Sequence, residues 1–173
     1  MASGIISDTL FLKSPTTTDV DRDILAWLAP RCGEDLASYA REFFDVGSAL
    51  RSKSPADVIR EDCKEFTEHG VRFSISQIEE TGFDLFWERK EELRAALEDF
   101  AERRSLDFSA LLITDVVEQG SLLLLSHESE ALDEINYPRL DRCLYELKNV
   151  VSRKKQLLPL LAQLITPTAA AKR

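Results

Sequence analysis

The sequence predicts an α/β fold, a mixed five-stranded sheet flanked by helices and preceded by an N-terminal helical segment. Three observations point there. Leu111–Val117 and Leu122–Leu125 are almost unbroken apolar runs, as inner strands of a sheet covered on both faces are. Over 71–78, Val71, Phe73, Ile75 and Gln77 alternate with Arg72, Ser74, Ser76 and Ile78, the period of a strand. Over 83–104 the apolar residues Phe86, Leu93, Leu97 and Phe100 recur instead at the helical period, inside a charge-rich stretch.

The elements follow in order. Residues 1–12 form a short apolar stretch broken by Ser7-Asp8-Thr9, and Ser14-Pro15-Thr16-Thr17-Thr18 reads as a turn ending in a cap. Thr18 with Asp21 three residues on is a capping-box pattern that opens a helix over 19–29, with Ile24, Leu25, Trp27 and Leu28 as its apolar face. Pro30 and Gly33 are its stop signals. A second helix over 34–46 carries Leu36, Tyr39, Ala40, Phe43 and Phe44. The small, polar stretch 47–55 reads as a linker or hinge.

A short helix over 55–61 is then followed by a hairpin, Lys64–Thr67 with Val71–Ile78, turning at His69-Gly70. After the long helix, in which Asp99 and Arg103 form an i,i+4 pair, the two apolar strands are joined by the turn Glu118–Ser121. A helix near 128–135, an edge strand over 143–147 and a last helix ending near Ile165 complete the order, with 166–173 as a frayed tail.

Composition narrows the function. The 173 residues suit one domain, or one domain and a piece of another. A net charge of −9 argues against general binding to nucleic acid or anionic membrane, and no apolar run reaches the ~20 residues that span a bilayer. The N-terminus lacks a basic region and cleavage site, so the expectation is a soluble, cytoplasmic protein. Cys32, Cys63 and Cys143 are widely spaced and read as free thiols, and two isolated histidines leave no His/Cys metal centre. Asp19, Asp21 and Asp23 start like a calcium loop, but Ile24 stands where Gly is required and Pro30 where the bidentate Glu is required. No phosphate-binding glycine loop, H-E-x-x-H or nucleophile elbow is present.

One stretch runs against the acidic background. Between Arg139 and Lys155 six cations face two anions, a local +4 that leaves −13 elsewhere. Its last part, Ser152-Arg153-Lys154-Lys155, opens an apolar helical pattern, and Pro159 requires that helix either to bend or to start later. Cations in a first turn oppose the helix dipole at roughly 0.3–1 kcal/mol each, and a bound anion reverses the sign. On residues alone, a solvated basic turn and a phosphate site remain alternatives. Asp8, before a turn in apolar context, is either a cap or a metal ligand.

Two segments together resemble the C-terminal part of the family II inorganic pyrophosphatases, members of the DHH phosphoesterase superfamily. They are Ser3–Thr18, with Ser7-Asp8-Thr9 and Ser14-Pro15-Thr16, and Val150–Pro159, with Ser152-Arg153-Lys154-Lys155-Gln156. Asp62-Cys63-Lys64-Glu65-Phe66 and Leu111-Leu112-Ile113-Thr114-Asp115 fall between them in the family's order. The resemblance implies that residues 1–50 are the end of a DHH domain and a helical linker. Residues 51–173 would be the DHH-associated C-terminal domain that clamps pyrophosphate. It implies that Lys64, Arg153 and Lys154 bind substrate phosphates and that Asp8 ligates a divalent metal: manganese, or else cobalt or magnesium. The implied partners are pyrophosphate or phosphate and an N-terminal DHH domain, with a homodimer as a further expectation. No Asp-His-His motif occurs in the chain, so it is expected to be inactive alone. Rival expectations are an exopolyphosphatase-type domain, a non-catalytic module for a phosphorylated partner, and a purely structural domain.

Overall fold

The computed structural model describes residues 1–33, 35–129, 132 and 134–165. Helices α1 (Ala2–Thr9), α2 (Asp19–Cys32), α3 (Leu36–Val46), α4 (Ala49–Ser52) and α5 (Pro55–Glu61) precede the sheet. Strands β1 (Cys63–Glu68) and β2 (Val71–Glu80), helix α6 (Asp84–Arg104), β3 (Phe108–Asp115), β4 (Gly120–Leu125), β5 (Arg139–Asp141) and β6 (Leu144–Lys148) follow. A π-helical turn, Arg153–Leu157, leads into α7 (Leu158–Leu164).

The sheet has six strands in the order β1-β2-β3-β4-β6-β5. Only β2 and β3 run parallel, joined across one face by α6; the other four pairings are antiparallel. The sixth strand, β5, is three exposed residues with no apolar alternation, and it takes the edge position expected for 143–147. The hairpin turns where expected: His69 at φ 49° and Gly70 at φ 86° give the two left-handed residues that match strand twist.

Both faces of the sheet are covered. Phe73, Ile75, Phe108, Ala110, Leu112 and Leu123 pack with α7, and Phe73 stacks on Phe108 at 4.9 Å between ring centroids. Ile78, Leu111, Ile113, Leu122 and Leu124 pack on the other face under α4, α5 and α6. Burial on both sides explains why β2 carries no simple buried/exposed alternation, since Phe73 through Ser76 are all buried. Ser74 reaches Ser109 at 2.6 Å and Ser76 donates to the Ile59 carbonyl at 2.5 Å, so these buried hydroxyls are satisfied.

At the N-terminal end the Thr18–Asp21 capping box forms as the sequence predicts. Pro30, however, lies inside α2; the helix runs to Cys32 and ends at Gly33, φ 72°. One turn from the end a proline forfeits a single backbone bond, and the left-handed glycine does the terminating. Only Leu25 of the expected apolar face is buried; Trp27 is 58% exposed and carries Arg31 stacked 3.9 Å from its ring centroid. Residues 47–55 contain α4, with Ala49 and Leu50 buried and the Glu80 carboxylate accepting from Ser48 Oγ at 2.6 Å and Leu50 N at 3.1 Å. The helix expected near 128–135 falls partly, and the tail 166–173 wholly, outside the described residues.

Candidate functional site

Lys64 is placed by the β1–β2 hairpin. It stands directly opposite Ile75, and Phe66, two residues on, stands opposite Phe73. Paired residues in an antiparallel ladder share a face, so Lys64 lies on the α7 side of the sheet at its β1 edge. Its side chain is exposed.

Arg153 reaches the same point from the other end of the chain. Ser152 caps the π turn, accepting from Lys155 N at 3.3 Å, and Leu157 N bonds back to Ser152 O at 3.1 Å. This wider turn resolves the Pro159 alternative: the chain turns from Ser152, while the regular helix starts later and holds Pro159 in its first turn. Gln156 fastens the approach, accepting from Val151 N at 2.9 Å and Ser152 N at 3.1 Å and donating to Asn149 O at 2.7 Å.

The turn points its cations in different directions. Arg153 faces inward and is 6% exposed. Its Nη1 donates to the Asp62 carbonyl and, at 3.0 Å, to the Ile75 carbonyl; Nη2 donates to Asp62 Oδ1 at 2.9 Å. Three of its five N–H groups are thus engaged, leaving Nε and one Nη2 hydrogen without a partner among the described residues. Lys154 and Lys155 point outward. Lys155 Nζ donates to Pro15 O at 3.2 Å, whereas neither Lys64 nor Lys154 has an ion-pair or hydrogen-bond partner among the described residues. Beside them desolvation, then the Asp62 charge, pushes the Glu79 carboxyl up, opposed by Gln77 and Arg153.

Asp8 is exposed near the end of α1, a helix held by Ile6 and Leu10 in a cluster with Val116 and Val151, the latter just before the π turn. Immediately after it Leu10, Phe11 and Leu12 all take left-handed backbone, at φ 48°, 51° and 66°. For such residues this costs roughly 1–2 kcal/mol each. The strain is held by Leu12 N to Thr9 Oγ1 at 2.9 Å, Ser14 N to Thr9 O at 2.8 Å and Lys13 Nζ to Val117 O at 2.5 Å. Asp8 O accepts from Thr16 Oγ1 at 3.3 Å, so the Asp8 turn and the Lys155 anchor at Pro15 form one continuous junction.

The basic island of the sequence is not one surface. Arg139 lies on β5, at the opposite edge of the sheet from β1, paired with Glu128 at 2.5 Å, and Arg142 follows it. Asp62, Gln77 and Gln156 hold this junction together, and nothing in their residue type marks them; Asp62 and Gln156 stand within the segments that resemble the family, and Gln77 stands outside them. Among the described residues no group of three or more His, Cys, Asp or Glu side chains could hold a metal ion. Asp8 offers one carboxylate, which does not make a metal centre.

The DHHA2 domain model matches residues 41–164. The chain is 35% identical to a cobalt-dependent inorganic pyrophosphatase of Clostridium perfringens over 96% of its own length and 30% of that protein's. It is 35% identical to a manganese-dependent inorganic pyrophosphatase of Bacillus subtilis, covering 93% of this chain and 52% of the relative. A solved structure from Methanococcus jannaschii, described as a family II inorganic pyrophosphatase, superposes with a TM-score of 0.79 at 30% identity, covering 95% of this chain and 54% of that one. The chain therefore spans about half the length, or less, of these relatives.

Proposed function

Because the chain belongs to the DHHA2 domain family and corresponds to a C-terminal part of family II inorganic pyrophosphatases, we propose that it is the pyrophosphate-clamping part of such a hydrolase. In this reading residues 1–50 are the end of the preceding DHH domain and a helical linker, and residues 51–173 form the clamp. Lys64, Arg153 and Lys154 hold substrate phosphates. Asp8 adds one ligand to a divalent-metal centre, manganese or cobalt, whose other ligands come from the DHH half. The metal supplies a hydroxide nucleophile when bound there, and the chain alone is inactive. The working location is the cytoplasm; no helix among the described residues is long and apolar enough to cross a membrane.

The observation that carries the reading is the convergence on Ile75: Lys64 pairs with it in register, and Arg153 donates to its carbonyl across 78 positions of sequence. Residues that far apart in sequence meet at one sheet edge, and neither the Lys64 nor the Lys154 ammonium has a carboxylate partner among the described residues. Cations fixed before the substrate arrives stabilise the charge that develops on phosphoryl oxygens without reorganising, and losing one such donor commonly costs about 2.7–4 kcal/mol of transition-state stabilisation. Arg153, two N–H groups of which lack partners among the described residues, suits two phosphate oxygens at once. The strained turn after Asp8 fits a carboxylate held in place for a ligand.

Calorimetric titration of the chain with pyrophosphate tests this. Binding is expected, weakened at least tenfold in a Lys64→Ala, Lys154→Ala double variant. Equal affinity in the double variant overturns the clamp.

A further inference from the structure

We propose a second anion site, on the opposite face of the sheet from Lys64. It is a cleft of about 520 Å³ between β1 and the C-terminal end of α6, lined by Arg60, Cys63, Glu65, Phe100, Arg103 and Arg104. Its ligand is a small phosphate dianion, free or carried as a monoester. This cleft shares no residue with the clamp.

Strand alternation separates the two sites. Lys64 and Phe66 face α7, so Cys63 and Glu65 face α6 and α5. Three rigid elements then converge. Arg60 sits in the last turn of α5, where Val58 and Ile59 are fully buried, and Arg103 and Arg104 sit in the last turn of α6, above buried Leu97 and Ala101. In a chain of net charge −9, three guanidiniums meet one carboxylate in this cleft.

The guanidiniums are incompletely used. Arg104 gives Nε and Nη2 to Glu65 Oε1 at 2.8 and 2.6 Å, and Arg103 gives only Nε to Asp99 at 2.8 Å. Both Nη groups of Arg103 and the whole Arg60 guanidinium lack partners among the described residues. Arginines in last turns also suit the carbonyl ends of their helices. That accounts for each arginine singly, and leaves unexplained why two helix ends bring theirs to one cleft. Planar forks match tetrahedral oxyanions bidentately. The half-buried Phe100 ring gives an ester's apolar body a surface.

The test is NMR titration of the chain with inorganic phosphate and, separately, phenyl phosphate, following backbone amides of Phe100–Arg104 and of Ser152–Gln156 as independent reporters. Both ligands are expected to move the Phe100–Arg104 amides. Arg60→Gln with Arg103→Gln should raise that Kd at least fivefold, Glu65→Gln should lower it, and Lys64→Ala with Lys154→Ala should leave it unchanged. Tighter phenyl phosphate identifies an ester as the ligand, and equal affinity a free phosphate. Shifts confined to Ser152–Gln156, an unchanged Kd in the double arginine variant, or equal shifts from sodium chloride at matched ionic strength each overturn the proposal.

Discussion

Arg153 Nη2 lies 2.9 Å from Asp62 Oδ1, with the arginine side chain 7% exposed and the aspartate 52% exposed. The pair is therefore asymmetric. Arg153→Ala takes one donor from the Ile75 carbonyl and one from the Asp62 carbonyl, which keeps Gln77 N at 3.2 Å, and frees the Asp62 carboxylate into water, so the cost comes mainly from the lost charged hydrogen bonds, about 1.5–3 kcal/mol. Urea unfolding should show that loss, and Arg153→Lys should recover only part of it, because an ammonium cannot reach both carbonyls in the guanidinium plane. A fully stable Arg153→Ala variant would mean that the arginine is not holding α5, β2 and the π turn together.

Lys64→Ala and Lys154→Ala should behave in the opposite way. Neither ammonium has a partner among the described residues, so each single substitution should leave stability within about 0.5 kcal/mol. Each should raise the Kd for pyrophosphate by about tenfold, ~1.4 kcal/mol, and the difference should shrink in high salt. Calorimetry at two ionic strengths measures both effects.

Gln156→Ala should separate placement from contact. The amide makes three bonds to the Asn149–Ser152 approach. Their loss should cost about 1–3 kcal/mol and weaken pyrophosphate binding even though Gln156 is assigned no phosphate. Unaltered binding in this variant would show that the turn keeps Lys154 in place unaided.

The pH dependence should carry the mark of Glu80. Burial pushes its carboxyl above the ordinary 4.5, against the opposing bonds from Ser48 and Leu50. The folded state therefore holds a proton that the unfolded state releases. This contribution is complete below pH 4.5 and fades as pH rises through the raised value. Asp21, Asp35 and Asp141 are lowered from 3.8 and act in the opposite sense, below that pH. Chemical unfolding from pH 4.5 to 7.5 should show stability falling with pH in the native chain and a flatter profile in Glu80→Gln; parallel profiles would refute the assignment.

Much of this was legible in the residues and some was not, for identifiable reasons. The five longer strands and α6 announce themselves by length and period, and the His69-Gly70 turn by its glycine. β5 does not, because Arg139-Leu140-Asp141 is exposed and three residues long. Pro30 misleads as a stop because its cost depends on distance from the helix end, which composition alone does not reveal. The charge island misleads because proximity in sequence says nothing about the strand order that carries Arg139 to the far edge. The family resemblance implies Lys64, Arg153 and Lys154 as a set; that Arg153 turns inward onto Asp62 while Lys154 turns out depends on the π turn, which no residue pattern signals.

The single parallel pairing sets the kinetics of assembly. β1–β2 and β3–β4 are hairpins that close locally, but β2 and β3 meet only after the 21 residues of α6 have crossed between them. Closing that loop carries the largest entropic barrier in the sheet. Substitutions at Leu93 or Leu97, by which α6 lies down on the strands, should accordingly slow refolding more than substitutions in either hairpin turn.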